Sequence, residues 1–253
     1  MNAVGLSCRP RFSPQGFWGL VEPTLVQETL RLIFTRWGRP QGFRVDNGTP
    51  WGSKGDWPTE LALWLIGLGV NMTWNPARTP QDNGVVERSQ GTGKRWTEPG
   101  TCKDAAELQR RMNDMDRIQR EVYPSIQGQS RWQAFPELQR VARRYSRSWE
   151  KRHWDLELVL AHMAEYTAVR RVGSKGEVSI YNHGHYVGQK YQGQDIYVFL
   201  DPIDREWVFA TPSGVQIRRK AAEEITRDRI QKLQVTRRRT RASGSGGKTQ
   251  CRD

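Results

Sequence analysis

The chain has 253 residues, with 40 Lys+Arg against 27 Asp+Glu and a formal net charge of +13. Leu, Ile, Val and Phe supply only about 20% of it, near the lower edge for a folded chain, but eleven Trp and seven Tyr add packable surface, so it reads as one or two folded, polar domains. No apolar run reaches the roughly 18 residues of a membrane span, the longest (Leu61 to Val70) carries two glycines, and no basic-then-apolar signal peptide opens the chain, which argues against membrane and secreted classes and for a cytoplasmic protein.

The elements follow in chain order. Asn2 to Cys8 alternates weakly and suggests a strand, and Arg9 to Gly19, rich in Pro, Gly and aromatics, suggests a loop. Pro23 to Trp37 places Leu25, Val26, Thr29, Leu30, Ile33, Phe34 and Trp37 on a helical stripe that Gly38 and Pro40 stop. Gly42 to Val45 is a short strand ending at Asp46-Asn47-Gly48. Thr59 to Gly67 is a second apolar helix and Val70 to Trp74 another short strand. After a Pro/Asn/Gly loop, a helix carries Val85, Val86 and Glu87. Strand and helix alternate, which is the pattern of an α/β layer.

Beyond residue 100 the character changes. Thr101 to Asp104 resembles a capping box, and Leu108, Met112, Met115 and Val122 give the next helix one apolar stripe. Pro124 to Arg144 reads as mixed loop, and Trp154 to Tyr166 as a helix. Six short Tyr- and Val-rich strands then follow, over 169–172, 178–181, 186–188, 196–200, 207–210 and 216–218. Such a run suggests a small five- or six-stranded barrel. The tail from Thr236 is basic, then Ser/Gly-rich, and reads as disordered. The expected division is a core over 1–100, a helical extension over 101–167, a barrel over 168–222 and a basic, flexible tail over 223–253.

Cys8, Cys102 and Cys251 are far apart and lack zinc-site spacing. They fit reduced thiols in a cytosolic protein. His183 and His185 share one side of a strand, as a metal pair or as an ordinary solvated face. Asp46 stands at a strand end, where open α/β sheets bind ligands. Glu87 stands at a helix start. Two such carboxylates converging can hold Mg²⁺; equally, a turn Asp and an N-terminal helix Glu are common for local reasons.

The words around these residues add to that choice. Val45-Asp46-Asn47-Gly48-Thr49-Pro50 and Pro80-Gln81-Asp82-Asn83-Gly84-Val85-Val86-Glu87-Arg88 closely resemble two acidic motifs of the retroviral-integrase and insertion-sequence transposase family. The resemblance covers most of Asn2 to Trp96. It implies an RNase H-like core with an Asp, Asp, Glu triad, in which Asp46 matches the second carboxylate and Glu87 the third. It also implies two Mg²⁺ (or Mn²⁺) ions that drive phosphoryl transfer at DNA ends. Asn47, Gly48, Asn83 and Gly84 would shape the active-site loop. Lys94, seven residues after Glu87, shares its helix face, and with Arg88 and Arg95 it is a candidate phosphate contact. The partners so implied are transposon ends, target DNA and further copies of the chain in a synaptic complex, with no membrane and no small-molecule substrate.

One departure from the family is serious. The family's first Asp lies upstream of a strand like Asn2 to Cys8, and no Asp precedes Asp46 in this chain. The expected architecture is therefore an RNase H-like core lacking its first strands and first carboxylate, then a helical linker and a small SH3-like barrel. Transposase or integrase activity should be impaired. The alternative is a non-catalytic DNA-binding remnant that binds DNA or full-length transposase.

The charge is concentrated in two places. Arg218 to Asp253 holds 12 basic and 4 acidic residues, and Arg131 to Trp154 holds 7 and 2. A basic excess points to an acidic polymer, nucleic acid being the commonest. Arg218, Arg219 and Lys220 are candidate DNA contacts, whereas Tyr181, Tyr186, Tyr191, Tyr197 and Trp207 read as barrel packing rather than base-stacking platforms.

Overall fold

A computed structural model describes residues 22–52, 57–75 and 84–237. The readings of Asn2 to Cys8, of Arg9 to Gly19, of the Pro76 to Asn83 loop and of the tail beyond residue 237 lie outside them. The chain is mixed α/β and splits into two compact units, Met1–Tyr166 and Thr167–Asp253. Among the described residues no helix is long and apolar enough to cross a membrane.

In the first unit, α1 (Pro23–Trp37) starts on a proline and ends at Gly38, whose positive φ of 80° lets its N–H close back on Phe34 O. Its buried face is Val26, Leu30 and Phe34, one residue per turn, while Leu25 and Leu32 stay exposed. Strands β1 (Gly42–Val45) and β2 (Asn71–Trp74) pair in parallel, Gly42 opposite Asn71 and Val45 opposite Trp74. Parallel neighbours need a crossover, and α2 (Glu60–Gly67) supplies it. Thr59 caps α2 by accepting the Ala62 N–H, and every residue from Leu61 to Gly67 is buried. A helix that is apolar all round belongs in a core.

Three helices follow from there: α3 (Gly84–Thr97), α4 (Ala105–Glu121) and the short α5 (Arg131–Ala134). The cap of α4 is Asp104 rather than Thr101. Asp104 accepts the Glu107 N–H, and the Glu107 carboxylate reaches back to the Lys103 N–H. No residue of α4 is buried, and Met112 and Val122 of its expected stripe are exposed. Ser130 and Gln133 form a reciprocal capping box that starts α5 inside the stretch read as loop.

Helices α6 (Arg147–His153) and α7 (Leu156–Ala164) close the unit. Trp154 lies so close over α2 that a Cβ added to Gly67 would stand 2.1 Å from its indole. Its Nε1 donates to Trp64 O at 2.9 Å.

The second unit has six strands: β3 (Thr167–Arg171), β4 (Glu177–Ile180), β5 (His183–Tyr186), β6 (Asp195–Asp201), β7 (Glu206–Ala210) and β8 (Gln216–Ala221). They form an antiparallel sheet in the order β3-β6-β7-β8 and a separate β4-β5 hairpin. The hairpin turns on Tyr181 and Asn182, both at positive φ, as a two-residue turn requires. The expected closed barrel does not form among the described residues, because β4 and β5 share a strand ladder only with each other. The core is Ile180, Ile196, Val198, Leu200, Trp207 and Phe209.

The chain beyond β8 also packs into this unit. Ala222, Ile225, Ile230 of α8 (Arg227–Gln231), Leu233 and Val235 are buried. The Arg237 N–H donates to Tyr181 O at 2.9 Å. Ile225, Ile230, Leu233, Val235 and Arg237 fall within the stretch from 223 that reads as a flexible tail.

Candidate carboxylate site and nucleic-acid interface

Asp46 directly follows β1 and is exposed. Its Oδ1 accepts the Gly48 N–H at 3.1 Å, the side-chain turn that Asp forms readily. Gly48 matters because an added Cβ there would sit 3.3 Å from the same oxygen. Asn47 braces the loop from the other side, its Nδ2 donating to Asn75 O at 2.9 Å, just past the end of β2. The Trp51 and Gly52 N–H groups both close on Gly48 O, and the Trp74 indole donates to Trp51 O at 3.1 Å. The Asp46 loop is thus pinned to the ends of both parallel strands.

Glu87 lies in the first turn of α3, which begins at Gly84; Asn83 and the Glu87 side chain lie outside the described residues. Arg88, Lys94 and Arg95 of the same helix are exposed. Gly93 faces α4, where a Cβ would meet Met115 Sδ at 3.7 Å, whereas at Gly91 a Cβ would meet nothing within 4 Å. Positions 87, 91 and 94 recur at helical spacing, so Lys94 shares its stripe with open space rather than with the packed side.

Asp46 offers a hard oxygen ligand, and Glu87 is a second carboxylate in the chain. Among the described residues, however, no group of three or more His, Cys, Asp or Glu side chains converges. The Glu87 side chain lies outside those residues.

The basic run of β8 divides by strand alternation. Arg219 is held by three carboxylates, Asp201, Asp204 and Glu206, each at 2.6 Å. Its hydrogen bonds with Glu206 and then Asp201 raise its pKa, and the same contact holds the Asp201 carboxyl below its usual range. Although expected to contact DNA, Arg219 is already neutralised within the fold. Arg218 points the other way and is exposed, its guanidinium 5.4 Å from the Tyr186 ring centroid. Lys220 is half-buried beside His183, His185 and Arg229.

Two buried polar clusters escaped the sequence reading. In the first unit Glu150 takes Arg31 in bidentate contact (3.0 and 2.6 Å), the Trp64 indole N–H (2.9 Å) and the Tyr145 hydroxyl. Burial opposes its charge, but these donors outweigh it and hold the carboxyl below its usual range. In the second unit Glu224 accepts the Trp207 indole N–H at 2.7 Å, and His185 Nε2 approaches it to 3.2 Å. Burial again opposes the charge, and His185 and Trp207 again hold the carboxyl low. The partners are as much as 119 residues apart, a separation no local spacing reveals.

No protein-family model matches the chain.

Proposed function

We propose that the chain is a DNA-handling protein of the integrase and transposase type. Its first unit derives from an RNase H-like core, its second from an SH3-like DNA-binding module, and strand transfer by residues 1–253 alone is weak or absent. The observation that carries the reading is where the two sequence words fall. Asp46 follows a strand in a parallel pair, braced by Asn47 and Gly48, and Glu87 lies in the first turn of a helix. The exposed cations Arg88, Lys94, Arg95 and Arg218 support an acidic polymer as partner. DNA ends and target DNA are that polymer, and further copies of the chain complete a synaptic complex.

In an intact relative, a third carboxylate with Mg²⁺ or Mn²⁺ would supply the phosphoryl-transfer chemistry. The second reading is a non-catalytic DNA-binding role, which the exposed cations Arg88, Lys94, Arg95 and Arg218 support without any contribution from catalytic carboxylates. The test is Mg²⁺-dependent joining of a labelled DNA end to a target by purified 1–253 protein. Joining at background with DNA binding intact is expected; robust joining contradicts the non-catalytic role, and absence of DNA binding contradicts the whole reading.

A further inference from the structure

Strands β5 and β8 are both edges. Neither carries a backbone ladder on its outer side, yet residues of both line two adjoining clefts. The larger, about 440 Å³, is lined by Tyr186, Gly188, Gln189, Lys190, Tyr191 and Arg218 among others. The smaller, about 280 Å³, is lined by His183, His185, Lys220 and Arg229 together with the carboxylates Glu223 and Glu224.

Three features set the larger cleft apart from ordinary packing. First, its aromatic rings are accessible: Tyr186 is 40% exposed and Tyr191 half-buried. Second, each ring carries a cation, Arg218 at 5.4 Å from the Tyr186 centroid and Lys190 Nζ at 5.0 Å from that of Tyr191. Neither cation is within ion-pair distance of a carboxylate among the described residues, in contrast to Arg219 on the opposite face of β8. Third, the walls are set in advance. The Gln189 N–H donates to the Tyr186 hydroxyl at 3.3 Å. Gly188 sits at φ 132°, a backbone conformation that residues with a side chain rarely adopt, in van der Waals reach of Tyr191.

Arg218 also donates one N–H to Tyr186 O at 3.4 Å, and cations outside any carboxylate pair beside partly exposed rings suit a ligand that offers both phosphates and π-faces. Duplex DNA presents its phosphates outward but keeps its base faces stacked inside, so the tyrosines would add nothing to duplex binding. An unpaired strand presents both, and aromatic stacking on unpaired bases is a strong, sequence-tolerant contribution. We propose that the β5–β8 seam is a track for single-stranded DNA. An unpaired base stacks in the Tyr186–Tyr191 cleft, and flanking phosphates meet Arg218, Lys190, Lys220 and Arg229. The inference rests on the DNA-handling reading and deepens it by naming which form of DNA this unit takes.

The test uses the full chain and fluorescence anisotropy at one low salt concentration. The probes are a labelled oligothymidylate of about 16 nucleotides and a duplex of the same length. The wild type should bind the single strand more tightly. Arg218→Gln and Tyr191→Leu should each weaken single-strand binding about tenfold and duplex binding by less than about threefold, while Arg219→Gln should leave single-strand affinity unchanged. Thermal unfolding checks that each variant folds. If Tyr191→Leu does not, Lys190→Gln, at an exposed position, carries the test with an expected loss of about threefold. Duplex binding with single-strand affinity untouched by these substitutions overturns the seam and leaves the DNA reading standing. Failure to bind either probe overturns both.

Discussion

At the scale of single residues, Glu150 and Glu224 are buried carboxylates each engaged by several donors, whereas Asp46 of the motif words is exposed. Glu150 ties α1, α2 and α6 together through Arg31, Trp64 and Tyr145. Replacing it by Ala removes the bidentate partner of the buried Arg31 guanidinium, leaving Glu28 and Gln27 on its Nη1, and strips the Trp64 and Tyr145 donors of their acceptor. We expect a loss of about 3 kcal/mol, read by urea unfolding of the first unit. Glu150 also shapes the response to pH. Its folded pKa lies below the unfolded value, so its contribution is present above the ordinary carboxylate range and is lost as pH falls through the folded value. Glu224 acts with the same sign in the second unit. Acid unfolding should therefore begin below the ordinary carboxylate range, and Glu150→Gln should flatten the pH dependence of the first unit's stability there. Asp46 is different. An Asn side chain keeps an oxygen to accept the Gly48 N–H, so Asp46→Asn should change stability by less than about 0.5 kcal/mol. A larger loss would mean that the loop depends on the charge.

At the scale of elements, periodicity and punctuation in the sequence located α1, β1, α2 and β2 closely. Pro23, Gly38 and the fully apolar run of α2 are local signals with local causes. The failures have physical reasons too. The apolar stripe of α4 is real as a pattern, and Gly93 of α3 lies against Met115, but Met112 and Val122 stay exposed. Strands of the second unit were legible one by one from alternation. Their closure into a barrel was not, because that depends on whether distant edges bond, and β5 and β8 do not. The division of β8 into a neutralised Arg219 and an outward Arg218 follows from strand alternation, but which face was neutralised depended on the remote Asp201, Asp204 and Glu206. The most exacting element contact is α2 against Trp154. Gly67→Ala should destabilise the first unit by about 1–3 kcal/mol, seen as a lower urea midpoint, since the indole fills the space a methyl group would need.

At the scale of the whole molecule, the net charge of +13 is partly spent within the fold. Arg31 and Arg219 are paired internally, while Arg88, Lys94, Arg95 and Arg218 remain exposed. The positions of Asp46 and Glu87 were legible from the motif words; whether their side chains meet was not, since that depends on the fold between them. The central claim, that this chain handles DNA, makes its plainest prediction through salt. If about six phosphates are neutralised, affinity for duplex DNA should fall roughly a thousandfold between about 50 and 200 mM salt, along a straight line in log affinity against log salt. The deciding measurement is that titration on the full 253-residue chain. A steep linear fall is the predicted result, and no measurable binding at low salt, or binding indifferent to salt, would contradict it.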